Sequence, residues 1–155
     1  MNAYTQVTEL YGMYADAVYR LCYSYLKSAP DAQDAVQSTF MKLLGPHPEF
    51  NDDGHAKAWL FTCASNLCKD ALRAAARRQT TEMPDQVVDP TASTETNDVL
   101  EAVQSLPEPY RACVHLYYYE GYRTDEIAAI TGTPPSTVRN RLKDARAQLK
   151  SALER

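Results

Sequence analysis

The chain has 155 residues, 45% of them hydrophobic, and a formal net charge of −4, which allows one packed domain or two small ones. No stretch approaches the roughly 18 apolar residues of a membrane-spanning helix, and the first residues lack the basic run and apolar segment of a secretion signal. We therefore expect a cytoplasmic protein with no membrane insertion. The four cysteines and three histidines lack metal-ligand spacing, so we expect reduced thiols, no metal and no cofactor.

The first two predicted helices are amphipathic. An apolar stripe at three- and four-residue steps predicts a helix from about Tyr4 to Lys27, formed by Val7, Leu10, Tyr14, Val18, Leu21 and Tyr25. Ser28 is then predicted to cap a second helix that runs to about Leu44. That helix is predicted to bury Ala32, Ala35, Val36, Phe40 and Leu43. It leaves a polar face, which is either solvated or binds a partner, made of Asp34, Gln37, Ser38, Met41 and Lys42.

A loop and a third helix follow. Glycines and prolines over GPHPEFNDDG, residues 45–54, predict the loop, in which Phe50 is either a plug into the core or a contact residue. The helical period returns from Lys57 to Arg78, with Trp59 as an expected core anchor and a stacking platform as the alternative. The residues predicted to face inward are Leu60, Cys63, Ala64, Leu67 and Ala71. Another face carries Asn66, Lys69, Asp70, Arg73, Arg77 and Arg78. Such a basic face beside a loop could grip a phosphate backbone and hold an unstacked base.

Residues 80–98 have the composition of a linker. They hold five acids, no base and no periodic apolar face, which is typical of an extended tether. The predicted fold is therefore all-α, with two small helical domains, residues 1–79 and 99–155, joined by a flexible linker. The second domain is predicted to hold four helices, with the run from Tyr117 to Tyr119 packed against the last two.

The stretch from Gly121 to Leu149 predicts a helix-turn-helix. Thr124 is predicted to cap a short helix, Gly132 to end it in the left-handed region, and Thr133 to cap the next helix with Pro134 first in it. The second helix has an apolar stripe of Val138, Leu142, Ala145 and Leu149. Its other side carries Ser136, Arg139, Asn140, Lys143, Arg146 and Lys150. Residues 135–150 hold five bases and one acid, so we expect this helix to meet DNA; an ordinary hairpin with a solvated basic face is the alternative.

Three blocks of the chain together resemble a bacterial RNA polymerase sigma factor of the extracytoplasmic-function class. They are DAQDAVQSTFMKLL (residues 31–44), HAKAWLFTCASNLCKDALRAAARR (55–78) and SLPEPYRACVHLYYYEGYRTDEIAAITGTPPSTVRNRLKDARAQL (105–149). The resemblance covers nearly the whole chain and implies only the second and fourth sigma domains. It implies that the protein binds core RNA polymerase, through the beta-prime clamp and the beta flap, and directs initiation at promoter DNA. It also implies an anti-sigma factor, which would cover the second helix or clamp both domains.

The resemblance assigns residues to three surfaces. Those implied to dock on the beta-prime clamp are Asp34, Gln37, Phe40 and Lys42. Those implied to melt and read the minus-ten element are Phe50, Asn51, Ala56, Asn66, Lys69, Asp70, Arg73 and Arg77. Those implied to lie near bases of the minus-thirty-five element are Ser136, Thr137, Arg139, Asn140 and Lys143, with Arg141 or Arg146 nearer phosphates.

Two other functions are considered beside this one. A sigma-like decoy would titrate an anti-sigma factor without reading DNA, and a stand-alone regulator would use the helix-turn-helix alone and leave residues 1–79 unexplained. The basic residues of the last helix count against the decoy. An enzyme is disfavoured, because no nucleophile triad, paired carboxylate or metal constellation appears in the sequence.

Overall fold

The computed structural model of the chain describes residues 3–79 and 98–154, and within these ranges all regular structure is helical. The helices are α1 (Ala3–Leu26), α2 (Ala29–Met41), α3 (Asp53–Gln79), α4 (Asp98–Gln104), α5 (Glu108–Val114), α6 (Thr124–Thr131) and α7 (Pro135–Leu153). A 3₁₀ turn, Lys42–Leu44, follows α2, and a π-helical turn, His115–Tyr119, follows α5. The all-α prediction is confirmed. Apart from Asp98, the predicted linker lies outside the described residues.

The chain divides into two compact units, Met1–Leu72 and Arg73–Arg155. The division falls within α3, some residues before the predicted end of the first domain at residue 79. At ~1.5 Å per residue, α3 is roughly 40 Å long. None of the described helices is long and apolar enough to cross a bilayer.

The apolar stripe of α1 forms the centre of the first unit. Leu10, Val18, Leu21 and Tyr25 are buried as predicted, whereas Val7 and Tyr14 are half-buried. The helix ends where Lys27 takes a φ of 51°, a left-handed conformation that stops a helix. Ser28 caps α2 as predicted, because its hydroxyl accepts the Asp31 N–H at 3.3 Å.

Helix α2 packs its apolar side against α1. The five side chains predicted to be buried are indeed buried: Ala32, Ala35, Val36, Phe40 and Leu43. The α-helix ends at Met41, three residues before the prediction, because the last turn tightens into the 3₁₀ form, with the Gly45 N–H bonded to the Lys42 carbonyl at 3.1 Å. This tightening satisfies a carbonyl that a helix end leaves open.

Helix α3 begins four residues earlier than predicted. Asp52 caps it, since its Oδ1 accepts the His55 N–H at 2.7 Å and its carbonyl accepts the Ala56 N–H at 3.2 Å. The Tyr14 hydroxyl donates to the Asp53 carbonyl at 3.1 Å and joins α1 to this first turn. Further along, the Tyr25 and Ser65 hydroxyls share a buried hydrogen bond.

The inward face of α3 differs from the predicted one. Leu60 and Ala64 are buried as expected, and Phe61 and Cys68 join them. Cys63 and Leu67 are half-buried, and the prediction for Ala71 is wrong, because it is exposed. The described side chains of α3 beyond Cys68 are half-buried or exposed, so the predicted inward face does not extend to Ala71.

In the second unit, α7 packs against α4, α5 and α6. The stripe predicted for α7 forms its buried side, with Val138, Leu142 and Ala145 almost inaccessible and Leu149 half-buried. The core on the other helices is made of Leu106, Ala112, Leu116, Ile127 and Ile130. The four predicted helices are present, with the π-helical turn extending α5.

The turn of the helix-turn-helix is formed by Gly132, whose φ of 68° confirms the predicted left-handed residue. The N-caps predicted at Thr124 for α6 and at Thr133 for α7 are each wrong by one position. Arg123 precedes α6, and its N–H is bonded by Glu126 Oε1 at 2.9 Å. Pro134 precedes α7, which begins at Pro135. The Thr133 hydroxyl instead bonds the hydroxyl of Thr131 at 2.8 Å.

Candidate functional site

The solvent face of α7 carries a row of polar and basic side chains. Ser136, Arg139, Asn140 and Lys143 are all exposed. Thr137, at the edge of this row, is half-buried. The buried stripe on the opposite side fixes the rotation of the helix, so the core determines which side chains point outward. Arginine, lysine and asparagine on such a face can donate to guanine or pair with adenine.

Arg141 and Arg146 differ from this row. Arg141 is half-buried and lies close enough to buried Cys113 on α5 to act on its thiol. Burial raises the pKa of the Cys113 thiol, and the positive charge of Arg141 offsets that rise in part. Arg146 is exposed, yet its Nε donates to the Tyr118 hydroxyl at 2.7 Å and its guanidinium lies 6.0 Å from the Tyr117 ring. Arg141 is thus turned toward the core rather than toward solvent.

The tyrosine run of the π-helical turn is largely exposed. Tyr117, Tyr118 and Tyr119 expose 36%, 56% and 62% of their surface, so the expected packing against the helix-turn-helix holds for Tyr117 more than for the other two. Its contact with α7 runs through Arg146. Tyr119 stacks instead on His115 at 5.0 Å between ring centroids.

The polar face of α3 lies along one side of a long helix. Asn66, Asp70, Arg73 and Arg77 are exposed, and Lys69 is half-buried. The basic residues Arg77 and Arg78 fall in the last turn, where the helix dipole already favours cations. Part of the basic character of this end therefore has a structural explanation that needs no ligand.

The loop before α3 and the first turns of α3 together carry a group of four rings, called here the aromatic cluster: His47 and Phe50 from the loop, and His55 and Trp59 from the helix. Phe50 lies parallel to His47 at 5.0 Å and 7°, edge-on to His55 at 5.4 Å and 86°, and 5.7 Å from Trp59. Phe50 and Trp59 are both half-buried. Trp59 was expected in the core and is found beside Phe50 instead. The two histidines were missed from the sequence; their spacing around Phe50 was the available signal.

A pocket of about 210 Å³ lies on the α1 side of this loop. It is lined by Gln6, Glu9, Leu10, Met13, Phe50, Asp52, Asp53 and Ala56. Ala56, assigned to the minus-ten surface by the resemblance, is only 2% exposed. Ala56 therefore offers a nucleotide little surface beyond its part of the pocket wall. Asn51, by contrast, is exposed at the tip of the loop.

A larger groove of about 500 Å³ lies between α1 and α2. Its lining includes Asp34 and Gln37 of α2 and, from α1, Tyr11, Asp16 and Tyr19. These α1 residues lie off the apolar stripe and were not singled out from the sequence. Lys42 is exposed beyond the groove.

Phe40 stands apart from the other residues assigned to the clamp surface. It is 3% exposed and packs edge-on against Tyr11, with ring centroids 5.0 Å apart. A buried ring offers almost no surface to a partner, so the assignment of Phe40 as a contact residue is corrected. Its place is beneath the groove, where it fixes α2 against α1.

The described residues give no sign of metal chemistry. They contain no group of three His, Cys, Asp or Glu side chains that could hold a metal ion. All four cysteines are free thiols. Cys63 is half-buried, and burial raises its pKa while Lys42 lowers it to a smaller extent.

Comparison with protein families gives two matches in chain order. Residues 10–78 match the sigma-70 region 2 family, and residues 96–149 match the sigma-70 region 4 family. The first match contains the groove, the loop and α3. The second contains the helix-turn-helix.

Several known proteins are similar over most of the chain. The extracytoplasmic-function (ECF) RNA polymerase sigma factor SigL of Mycobacterium tuberculosis is 34% identical over 155 residues, covering 94% of this chain and 87% of that protein. The RNA polymerase sigma factor SigV of Bacillus subtilis is 30% identical over 129 residues, covering 80% and 76%.

Two solved structures share the fold. One is the sigma factor RpoE in complex with the anti-sigma factor NepR from Bartonella quintana, with a TM-score of 0.73, 23% identity, and coverage of 95% of this chain and 96% of that chain. The other is CnrH in complex with the cytosolic domain of CnrY, with a TM-score of 0.61, 23% identity, and coverage of 96% and 87%.

Proposed function

Because the chain belongs to the ECF sigma factors of the sigma-70 family, we propose that it binds core RNA polymerase and selects promoters by a minus-thirty-five and a minus-ten element. Sigma factors are specificity subunits without catalysis of their own. The observation that carries the proposal is the exposed row of Ser136, Arg139, Asn140 and Lys143, held outward by the buried stripe of α7.

The helix-turn-helix is the proposed reader of the minus-thirty-five element. In this motif the second helix enters the major groove and its first residues meet base edges. Ser136, Arg139 and Asn140 lie in the first two turns of α7, and Lys143 follows on the same face. We assign these residues to bases, Thr137 to the edge of the contact, and Arg146 to the phosphate backbone. Arg141 supports the helix from the protein side.

The loop and α3 are the proposed reader of the minus-ten element. Extracting a base from the duplex costs a few kcal/mol, and a protein recovers this cost by stacking and by hydrogen bonds to the base. Phe50 and Asn51 offer a ring and exposed polar groups at the loop. The exposed face of α3, with Asn66, Arg73 and Arg77 and half-buried Lys69 beside it, supplies charge along the strand. Ala56 contributes through the pocket beneath Phe50.

The groove between α1 and α2 is the proposed docking surface for the beta-prime clamp. Asp34 and Gln37 line it, and exposed Lys42 extends it past the end of α2. Asp16 adds a second carboxylate from α1. These groups suit a polar, partly basic partner surface. We place an anti-sigma factor over the same groove, because covering it would block polymerase binding; the solved RpoE structure is a complex with an anti-sigma factor.

The test is transcription in vitro with core RNA polymerase and a randomised promoter library. The wild-type chain should direct initiation at a defined pair of elements. Arg139→Ala with Lys143→Ala should relax selection at the minus-thirty-five element only, whereas Asp34→Ala with Gln37→Ala should weaken binding to core. A decoy would give no specific initiation with core, and a stand-alone regulator would select DNA equally well without it; either result would refute the proposal.

A further inference from the structure

We propose that His55 is a positioning residue that holds Phe50 and Asn51 in the orientation in which they meet the minus-ten strand. The inference rests on the proposed function of the loop. It adds a residue that neither the sequence patterns nor the assigned surfaces include. The juxtaposition that carries it is the His55 ring lying against both residues at once.

The ring of His55 accepts a hydrogen bond from the loop. The Asn51 backbone N–H donates to His55 Nδ1 at 3.1 Å. A ring nitrogen accepts only when it carries no proton, so Nδ1 is the acceptor atom of the ring in this contact. The bond spans four residues and closes the chain from Asn51 to His55 into a small ring.

The same side chain also contacts the neighbouring aromatic residue. The Phe50 ring meets His55 edge-on at 5.4 Å, and its face is covered by His47 at 5.0 Å. His47 is itself tied to the loop, because its Nδ1 lies 2.8 Å from the Pro48 carbonyl and donates to it. Phe50 is therefore held between two histidine rings, one parallel to it and one perpendicular.

The backbone of His55 is fixed independently of its ring. Its N–H is bonded by Asp52 Oδ1 at 2.7 Å within the first turn of α3. The ring thus extends from a helix whose start is already capped, and it reaches back to the loop. A rigid element of this kind positions a binding residue better than a loop does alone. The geometry assigns to His55 the link between α3 and the loop tip.

Two substitutions at His55 separate the effect of its hydrogen-bond acceptor from the effect of its ring. His55→Phe keeps a flat ring against Phe50 but cannot accept the Asn51 N–H. His55→Asn loses the ring but places a carbonyl oxygen where Nδ1 was. The hydrogen bond to Asn51 orients the loop, and Phe50 keeps its contacts with His47 and Trp59 when the His55 ring is removed. His55→Asn should therefore behave as wild type, and His55→Phe should not. His55 is half-buried at the surface, so neither change should prevent folding.

The first measurement is amide hydrogen exchange of Asn51 in the full-length protein. The Asn51 N–H lies at the surface, so water can replace the lost acceptor and the effect should be modest. We expect His55→Phe to speed its exchange about fivefold, the factor that corresponds to one ordinary hydrogen bond. His55→Asn should retain the wild-type protection. Equal exchange in wild type and His55→Phe would overturn the inference without any reference to promoters.

The second measurement is the rate of open-complex formation by holoenzyme, followed with 2-aminopurine placed in the minus-ten element. We expect His55→Phe to slow opening of duplex promoter about fivefold while core affinity and minus-thirty-five selection stay unchanged, and His55→Asn to restore the rate. A merely structural defect would lower the opening rate, the core affinity and the minus-thirty-five selection together. It would not be rescued by His55→Asn. If His55→Asn is as slow as His55→Phe, or if both match wild type, the inference is wrong.

The two measurements distinguish failure of the inference from failure of the proposed function. A wild-type chain that opens no promoter with core polymerase would overturn the proposed function together with the minus-ten part of the inference. In that case faster Asn51 exchange in His55→Phe would still establish the link between α3 and the loop.

Discussion

Replacing Arg139 and Arg141 with alanine, one at a time, tests whether the two arginines lie on different sides of α7. The two lie two positions apart, so they project from different sides of the helix. Arg139 is exposed, and Arg141 is half-buried against Cys113. Alanine at position 139 should therefore change base selection, whereas alanine at position 141 should change the free energy of unfolding.

The magnitudes follow from these surroundings. Loss of a base contact by Arg139→Ala should cost about 1–3 kcal/mol of discrimination, or about 5- to 150-fold in selectivity. Its effect on the free energy of unfolding should stay within about 0.5 kcal/mol, because the side chain is exposed. Arg141→Ala removes the packing of a half-buried side-chain stem, so about 1 kcal/mol of stability should be lost.

The assays are promoter selection with core polymerase and thermal unfolding of the full chain. Arg141→Ala should lower the Tm of the second unit by roughly 4–8 °C per kcal/mol, as expected for a domain of that size, and leave base preference unchanged. Arg139→Ala should change base preference at one position and leave Tm unchanged. If Arg141→Ala alters base preference without a loss of stability, or if Arg139→Ala lowers Tm instead, the assignment of the two faces is refuted.

Three further predictions concern the turn, a thiol and the link between α1 and α3. Gly132→Ala forces a β-carbon into a left-handed residue and should lower the stability of the helix-turn-helix by about 1–2 kcal/mol, with a smaller loss for Gly132→Asn; equal Tm values for all three proteins would contradict this. Cys63 should be alkylated more slowly at pH 7–8 than a free thiol, because its raised pKa leaves less thiolate at that pH, and its rate should rise only at higher pH; a rate profile like that of free cysteine would show this to be wrong. Tyr14→Phe removes the bond to the Asp53 carbonyl and should cost about 0.5–1.5 kcal/mol in chemical denaturation, whereas Tyr4→Phe, at an exposed site, is the matched control that should cost nothing measurable.

The parts of the fold that were predicted correctly are those with a strong helical period. The stripes of α1 and α7 have a regular three- and four-residue spacing, and the core side of each helix follows from that spacing. Ser28 and Gly132 were also identified, because a hydroxyl before a helix and a glycine after one act through local geometry alone. Element types were therefore clear from the sequence, and with them most of the buried sides of α1, α2 and α7.

The errors arise where contacts between distant residues decide the structure. The start of α3 depends on Asp52 reaching forward to His55, and a glycine next to that cap made the segment read as loop. Trp59 has a large apolar ring, which favours a core position, but its ring packs beside His47 and Phe50 instead. Arg141 lies at the flank of the buried stripe, where only the neighbouring Cys113 turns it inward. Phe40 is a further example. Its ring is buried against Tyr11, which excludes the direct contact with the polymerase clamp that the family resemblance assigns to it.

The π-helical turn of His115–Tyr119 has a consequence for chain length. Such a turn holds one residue more than the α-helical turn it replaces, so it amounts to a single inserted residue absorbed inside a helix. The Glu120 N–H closes it onto the His115 carbonyl at 3.1 Å, and Leu116 stays fully buried. In a sigma factor that lacks one residue here, α5 could continue as an ordinary α-helix and keep the same buried residues. We therefore expect single-residue length differences among relatives to collect in the exposed tyrosine run, and to be absent from α6 and α7, where a shift of one residue would rotate the reading face by about 100°.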